Sequence, residues 1–173
     1  MKKNLVIFIF FCLALNAYPQ QPVIRVFAFE QQSYPGTKPA NAKDENGNSI
    51  KKAADKENYF LFLSFKKTYS ITPDQVYIKG HAFQIQTIIT RKTPVEYGVS
   101  SVPGNPQKQV LVPKTSNKVI EIQLAEMLQQ EQPTTNVQQL VSANDIVIRY
   151  KWNNKKYFIT EKKLKKIEPV YHE

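Results

Sequence analysis

Cysteine is almost absent from this chain: Cys12 is the only one, and the sequence holds only two histidines, one tryptophan and five scattered glycines. A lone cysteine excludes an internal disulfide framework, and two histidines without thiolate partners exclude a structural zinc site. Single glycines form neither a phosphate-cradling loop nor a dinucleotide fingerprint. No G-x-S-x-G elbow is present, and His81 and His172 are the only imidazoles available to activate a nucleophile. His81 falls beside a predicted hairpin turn, and His172 is next to last. The nearest approach to a calcium loop, Asp44 with Asn46, Gly47 and Asn48, lacks the closing Glu. No cofactor or metal is expected.

Long apolar runs are also scarce. One of 11 residues, Leu5 to Leu15, follows Lys2 and Lys3, and Ala14 near its end and Ala17 beyond it offer small residues. This is signal-peptide grammar, with cleavage expected after Ala17. A membrane span needs about 20 apolar residues, so none is expected after cleavage. Phe11 before Cys12 argues against a lipoprotein. The expectation is an exported protein, periplasmic or extracellular, with a signal peptide at 1–17 and one domain at 18–173.

Loss of Lys2 and Lys3 from 24 basic residues leaves 22 against 14 acidic ones, a net charge of +8. Such a balance favours solubility and suggests anionic partners: acidic glycans, lipid head groups, nucleic acid or acidic protein faces.

The remaining chain reads as strands. Val23–Glu30 is apolar on both faces, as is Asn58–Lys66, where Tyr59, Leu61, Leu63 and Phe65 point one way and Phe60, Phe62 and Ser64 the other. Phe60 and Phe62 therefore need cover, from this chain or from a partner, and form a candidate interaction patch. Between these strands, residues 31–57 read as a long polar loop with a turn at Asn46-Gly47.

Lys79-Gly80 reads as a two-residue hairpin loop that opposes Ile78 to His81, Tyr77 to Ala82 and Val76 to Phe83. Val76, Ile78, His81, Phe83, Ile85 and Ile89 then share an inward face. Short extended pieces fit at Val95–Val99 and Lys108–Val112, and Lys118–Leu124 alternates cleanly. Ala125–Ala143 reads as one or two short helices capped near Thr135 or Asn136.

A second hairpin is expected over 144–161 about Asn153-Asn154, with Ile146, Ile148, Tyr150, Trp152, Tyr157 and Ile159 inward. Arg149, Lys151 and Lys156 face outward. Lys151 and Lys156 are directly opposed, which costs roughly 0.2–1 kcal/mol and would be relieved by a bound anion. With Lys162, Lys163, Lys165 and Lys166 of the basic tail 162–173, they form a candidate anion-binding set, and Trp152 is a candidate stacking residue.

About eight or nine short strands with proline-rich turns and little helix imply an all-β, antiparallel, immunoglobulin-like β-sandwich, with an open barrel as the alternative. Carboxylates lie in or beside strands at Glu30, Asp74, Glu96, Glu121 and Asp145, but sequence cannot place two of them together. The expected function is therefore non-enzymatic: a binding or interaction module of the envelope or extracellular space. Its partner would be an envelope protein or an anionic polymer rather than a specific nucleic acid. The alternatives are a binder of anionic glycan or lipid head groups, and a carboxylate-based hydrolase.

Overall fold

The computed structural model describes residues 21–34, 56–99, 107–128 and 134–171. The signal segment with Cys12, the calcium-like stretch at 44–48 and His172 lie outside the described residues. The strands are β1 (Ile24–Tyr34), β2 (Lys56–Phe65), β3 (Thr72–Ile78), β4 (His81–Arg91), β5 (Val95–Val99), β6 (Gln107–Val112), β7 (Lys118–Met127), β8 (Ile146–Trp152), β9 (Lys155–Glu161), β10 (Lys165–Lys166) and β11 (Val170–Tyr171). One helix, α1 (Thr135–Ala143), joins β7 to β8.

The fold is all-β and sandwich-like. A nine-stranded sheet runs β10–β1–β2–β7–β4–β3–β8–β9, with β11 also on β1, and β5 and β6 form a separate two-stranded sheet. The large sheet curls until β9 comes alongside β1. Pairing is antiparallel except that β10 and β11 run parallel to β1. The basic tail is thus not a free arm. Leu164 and Ile167 are buried, and the lysines between them point outward.

Both hairpins keep the register that binary patterning imposes. Ile78 opposes His81 and Val76 opposes Phe83. Lys79 and Gly80 take φ of 46° and 90°. Asn153 and Asn154 take 49° and 59°, and Tyr150 opposes Tyr157 while Lys151 opposes Lys156. Positive φ at both central residues is the turn whose twist matches that of paired strands.

The concave face of the sheet encloses the main core, built on Leu61, Leu63, Phe65, Val76, Ile78, Ile120, Ile122, Ile146, Ile148, Tyr150 and Trp152. The convex face is covered in two places. The β5–β6 hairpin and the tail close over Phe29, Phe62, Val119 and Ile167 with Leu111 and Val112. Helix α1 sets Val137 against Tyr77, Ala82 and Val147. Doubly apolar strands are the consequence: β2 is apolar on both sides because both sides are packed.

Four expectations need correction. The segment expected as loop 31–57 contributes Gln31–Tyr34 to β1 and Lys56–Glu57 to β2, so only its central part lies outside the described residues. Gln31 is buried: its Nε2 donates to the Glu168 carbonyl at 2.9 Å, and its Oε1 accepts from the Tyr97 hydroxyl at 2.9 Å. Ala125–Met127, expected as helix, extends β7, and α1 starts at Thr135 without a side-chain cap. Finally, the β4 register shifts between Phe83 and Thr87. Ile88 therefore packs on the core, Ile89 pairs with Glu121 on the other side, and His81 is exposed at the turn. Such a shift inverts the parity of every residue beyond it.

Candidate functional site

The five carboxylates that the sequence places in or beside strands are all engaged. Asp74 occupies the register shift after Pro73, where β3 meets β8. Its Oδ1 accepts from Arg149 Nε at 2.7 Å, and its Oδ2 lies 3.9 Å from Lys151 Nζ. Glu121 holds Arg91 through Nε, Glu96 lies 3.5 Å from Lys108, and Asp145 Oδ2 accepts the Leu164 N–H at 3.0 Å. Glu30 Oε2 meets Lys79 Nζ at 2.6 Å as a close ion pair rather than an aligned hydrogen bond.

One pair of carboxylates does come together, though not one that the sequence singled out. Glu30 and Glu57 share Lys79, with Glu57 Oε2 at 3.2 Å. The Tyr59 hydroxyl donates to Glu57, and Lys79 lies 5.9 Å from the Tyr59 ring centroid. Hydrogen bonds from Tyr59 and Lys79 hold the Glu57 carboxyl below its ordinary range. Burial, with the bond to Glu57, pushes the Tyr59 phenol up to about 12. The Lys79 ammonium is raised, chiefly by Glu30. With Lys166 3.9 Å from Glu30, two lysines balance the two carboxylates at the end of the sheet where β3 turns into β4.

The predicted stacking and interaction residues are spent on packing, which corrects both expectations. Trp152 is only 8% exposed and packs in the core, with Tyr69 edge-on at 6.2 Å and Tyr157 tilted at 5.8 Å. Phe62 is 2% exposed, and Phe60 is half-buried with the Tyr97 ring 4.9 Å away. The cover they required is the β5–β6 hairpin of the same chain.

The predicted anion-binding set divides. Arg149 and Lys151 already have Asp74 as counter-charge, so the hairpin does not depend on a bound anion for relief. Lys156 remains exposed. Lys162, Lys163, Lys165 and Lys166 lie at the opposite end of β9, about 20 Å away at the usual rise per strand residue. There Lys166 stands 3.9 Å from Glu30, and Lys165 lies over Phe29 at 5.9 Å. The two groups do not form one surface.

A different cluster does form. Register brings the end of β2, the end of β4 and the start of β7 together, with Phe65 opposite Lys118 and Arg91 opposite Val119. Lys66 and Lys67 follow β2, Lys92 follows β4, and Lys114 and Lys118 precede and open β7. Arg25 near the start of β1, and Lys151 and Lys155 flanking the Asn153-Asn154 turn, project from the same end, since antiparallel pairing sets all these termini side by side. All but Lys118 are exposed. Of these cations Lys151 has Asp74 at 3.9 Å; Asp74 is otherwise committed to Arg149, and Glu121 to Arg91.

Within this basic end lies a cleft of about 510 Å³ lined by Lys67, Thr90, Arg91, Lys92, Thr93, Thr115, Asn117, Lys118 and Val119. Thr93 Oγ1 both donates to the Thr115 carbonyl and accepts the Thr115 N–H at 3.1 Å, which ties its two walls together. A second cleft of about 600 Å³ lies between the Lys79-Gly80 turn and residues 141–145 at the end of α1. Among the described residues its one lining lysine is Lys79, already committed to Glu30 and Glu57.

Sequence reading missed the basic end because its lysines come singly or in pairs from segments far apart in the chain. Only the cross-strand register collects them. Among the described residues no three metal-ligating side chains come together, and no helix is long and apolar enough to cross a membrane. Comparison with protein-family models, with curated proteins and with solved structures finds no match.

Proposed function

We propose that the protein is an exported, non-enzymatic binding module that engages an anionic polymer through the basic end of its sheet. Export rests on the signal-like segment 1–17. The observation that carries the binding reading is the segregation of charge: cations from the ends of β1, β2, β4, β7 and β8 and the start of β9 converge on one end, and the nearby carboxylates are already paired. Like charges brought together without counter-charges repel, and a polyanion bound there relieves that repulsion.

The packing that occupies Phe60, Phe62 and Trp152 favours this reading over an apolar protein interface. The proposed anion site is set apart from the basic tail, where Glu30 offsets Lys166.

Retention on a sulfated-polysaccharide matrix tests the proposal. The protein is expected to bind at low ionic strength and to elute as the screening length falls below about 10 Å. Lys92→Glu with Lys118→Glu is expected to abolish retention, while Lys163→Glu with Lys165→Glu leaves most of it. Equal retention on a neutral matrix, or loss only in the tail variant, overturns the reading.

A further inference from the structure

We infer that the cleft between the ends of β2, β4 and β7 is a discrete site for one anionic sugar unit, a sulfated or phosphorylated saccharide; this rests on the polyanion reading above. The volume, about 510 Å³, lies in the range of small-ligand clefts rather than of a bare-ion site. Its cations surround the space from three strand ends: Lys67, Arg91 with Lys92, and Lys118.

Arg91 is held in place rather than consumed. Glu121 takes its Nε, and among the described residues no partner meets its two Nη groups, so the planar fork remains available for an oxyanion. Lys67 and Lys92 have no carboxylate within ion-pair reach among the described residues.

The neutral lining specifies the sugar. Hydroxyl and amide groups of Thr93 and Asn117 stand between the cations, and they are fixed before any ligand arrives. Thr93 is tied to the Thr115 backbone, and Asn117 Nδ2 donates to Ser64 Oγ at 3.4 Å. Such groups suit the hydroxyls of a saccharide, and a pre-set polar wall binds without paying to be ordered. Among the described residues no aromatic ring lines the cleft, and nucleic-acid bases require such a stacking platform. Among the described lining residues Val119 is the only apolar side chain, which gives a lipid bilayer little to hold.

The test is fluorescence anisotropy of the full chain with a labelled, fully sulfated heparin-type hexasaccharide, its desulfated counterpart, and phosphatidylglycerol vesicles as competitor. Lys67→Gln with Lys92→Gln removes two cations from the cleft. Lys151→Gln with Lys155→Gln removes the same charge from the same end outside it. Circular dichroism melts establish that each variant is folded.

The cleft pair is expected to weaken binding about tenfold or more, and the outer pair less than about threefold, from the worth of hydrogen bonds to charged groups set against exposed electrostatics alone. Asn117→Leu keeps every charge and is expected to weaken the hexasaccharide while leaving inorganic sulfate competition unchanged. Equal losses in the two lysine pairs overturn the discrete site and leave diffuse polyanion binding standing. Preference for the vesicles over the hexasaccharide overturns the saccharide assignment. Absence of binding to either sulfated sugar or vesicle at low salt overturns the polyanion reading itself.

Discussion

Phe62→Ala separates a packed strand from a docking surface most sharply. Phe62 is 2% exposed on the convex side of β2 and sits with Phe29, Leu111, Val112, Val119 and Ile167. Burying an aromatic of about 200 Å² at roughly 25 cal/mol per Å² gives an upper limit near 5 kcal/mol. Measured truncations of this kind fall at about 3–5 kcal/mol because the cavity collapses only in part. In a domain of this size 1 kcal/mol shifts the melting midpoint by about 2–4 °C, so the variant should melt about 10 °C lower. Urea denaturation followed by circular dichroism gives the free energy directly. A second expectation sharpens it: Phe158→Ala, at a residue 37% exposed, should cost under about 1 kcal/mol. A loss below about 1 kcal/mol for Phe62→Ala would refute the closure of the β5–β6 hairpin over β2.

Other expectations test the corners of the fold. The sole tryptophan, Trp152, should emit with a buried spectrum, resist acrylamide quenching and remain unchanged when a sulfated oligosaccharide is added; a strong shift would place the ligand on the indole. Gly80→Ala should cost about 1 kcal/mol through its φ of +90° alone, because a Cβ there meets nothing within 4 Å. A substantially larger loss in thermal melts would mean that the turn is crowded.

The Glu57 carboxyl titrates below its ordinary 4.5, so its stabilisation is present above that pH and is lost as the pH falls through the folded value. Glu57→Gln should therefore be less stable than the parent at pH 7, and the difference should vanish in acid. A gap that persists at the lowest pH would contradict the pairing with Lys79. Asp74→Asn should destabilise by about 1 kcal/mol, since it leaves Arg149 without its partner, and Arg149→Met should remove most of that penalty in a double-mutant cycle.

Much of the fold was legible because strand periodicity is a local property. The alternation of Val76 with Ile78, and of Ile146, Ile148, Tyr150 and Trp152, predicts faces without knowledge of neighbours. The turns at Lys79-Gly80 and Asn153-Asn154 then fix register. What alternation cannot supply is a register shift, which is why Ile89 rather than Ile88 was expected inside. Nor does it reveal that Leu164 and Ile167 bind a lysine-rich tail to β1, since charge dominates composition there. The candidate site was less legible still. Lys67, Lys92 and Lys118 stand at three separate strand ends, and Asp74 meets Arg149 only across the β3–β8 ladder. A cluster of this kind belongs to the topology, and single-segment reading sees isolated surface lysines instead.

The central claim is that the basic end, and not the tail or the hairpin aromatics, is the surface that binds. Nitrogen-15 NMR titration of the protein with a sulfated hexasaccharide tests it most directly. The account predicts fast, saturable shifts concentrated at Lys67, Lys92, Thr93, Asn117 and Lys118, with residues 162–166 and the Trp152 indole still. Shifts centred on the tail, or spread evenly over every exposed lysine, would contradict it.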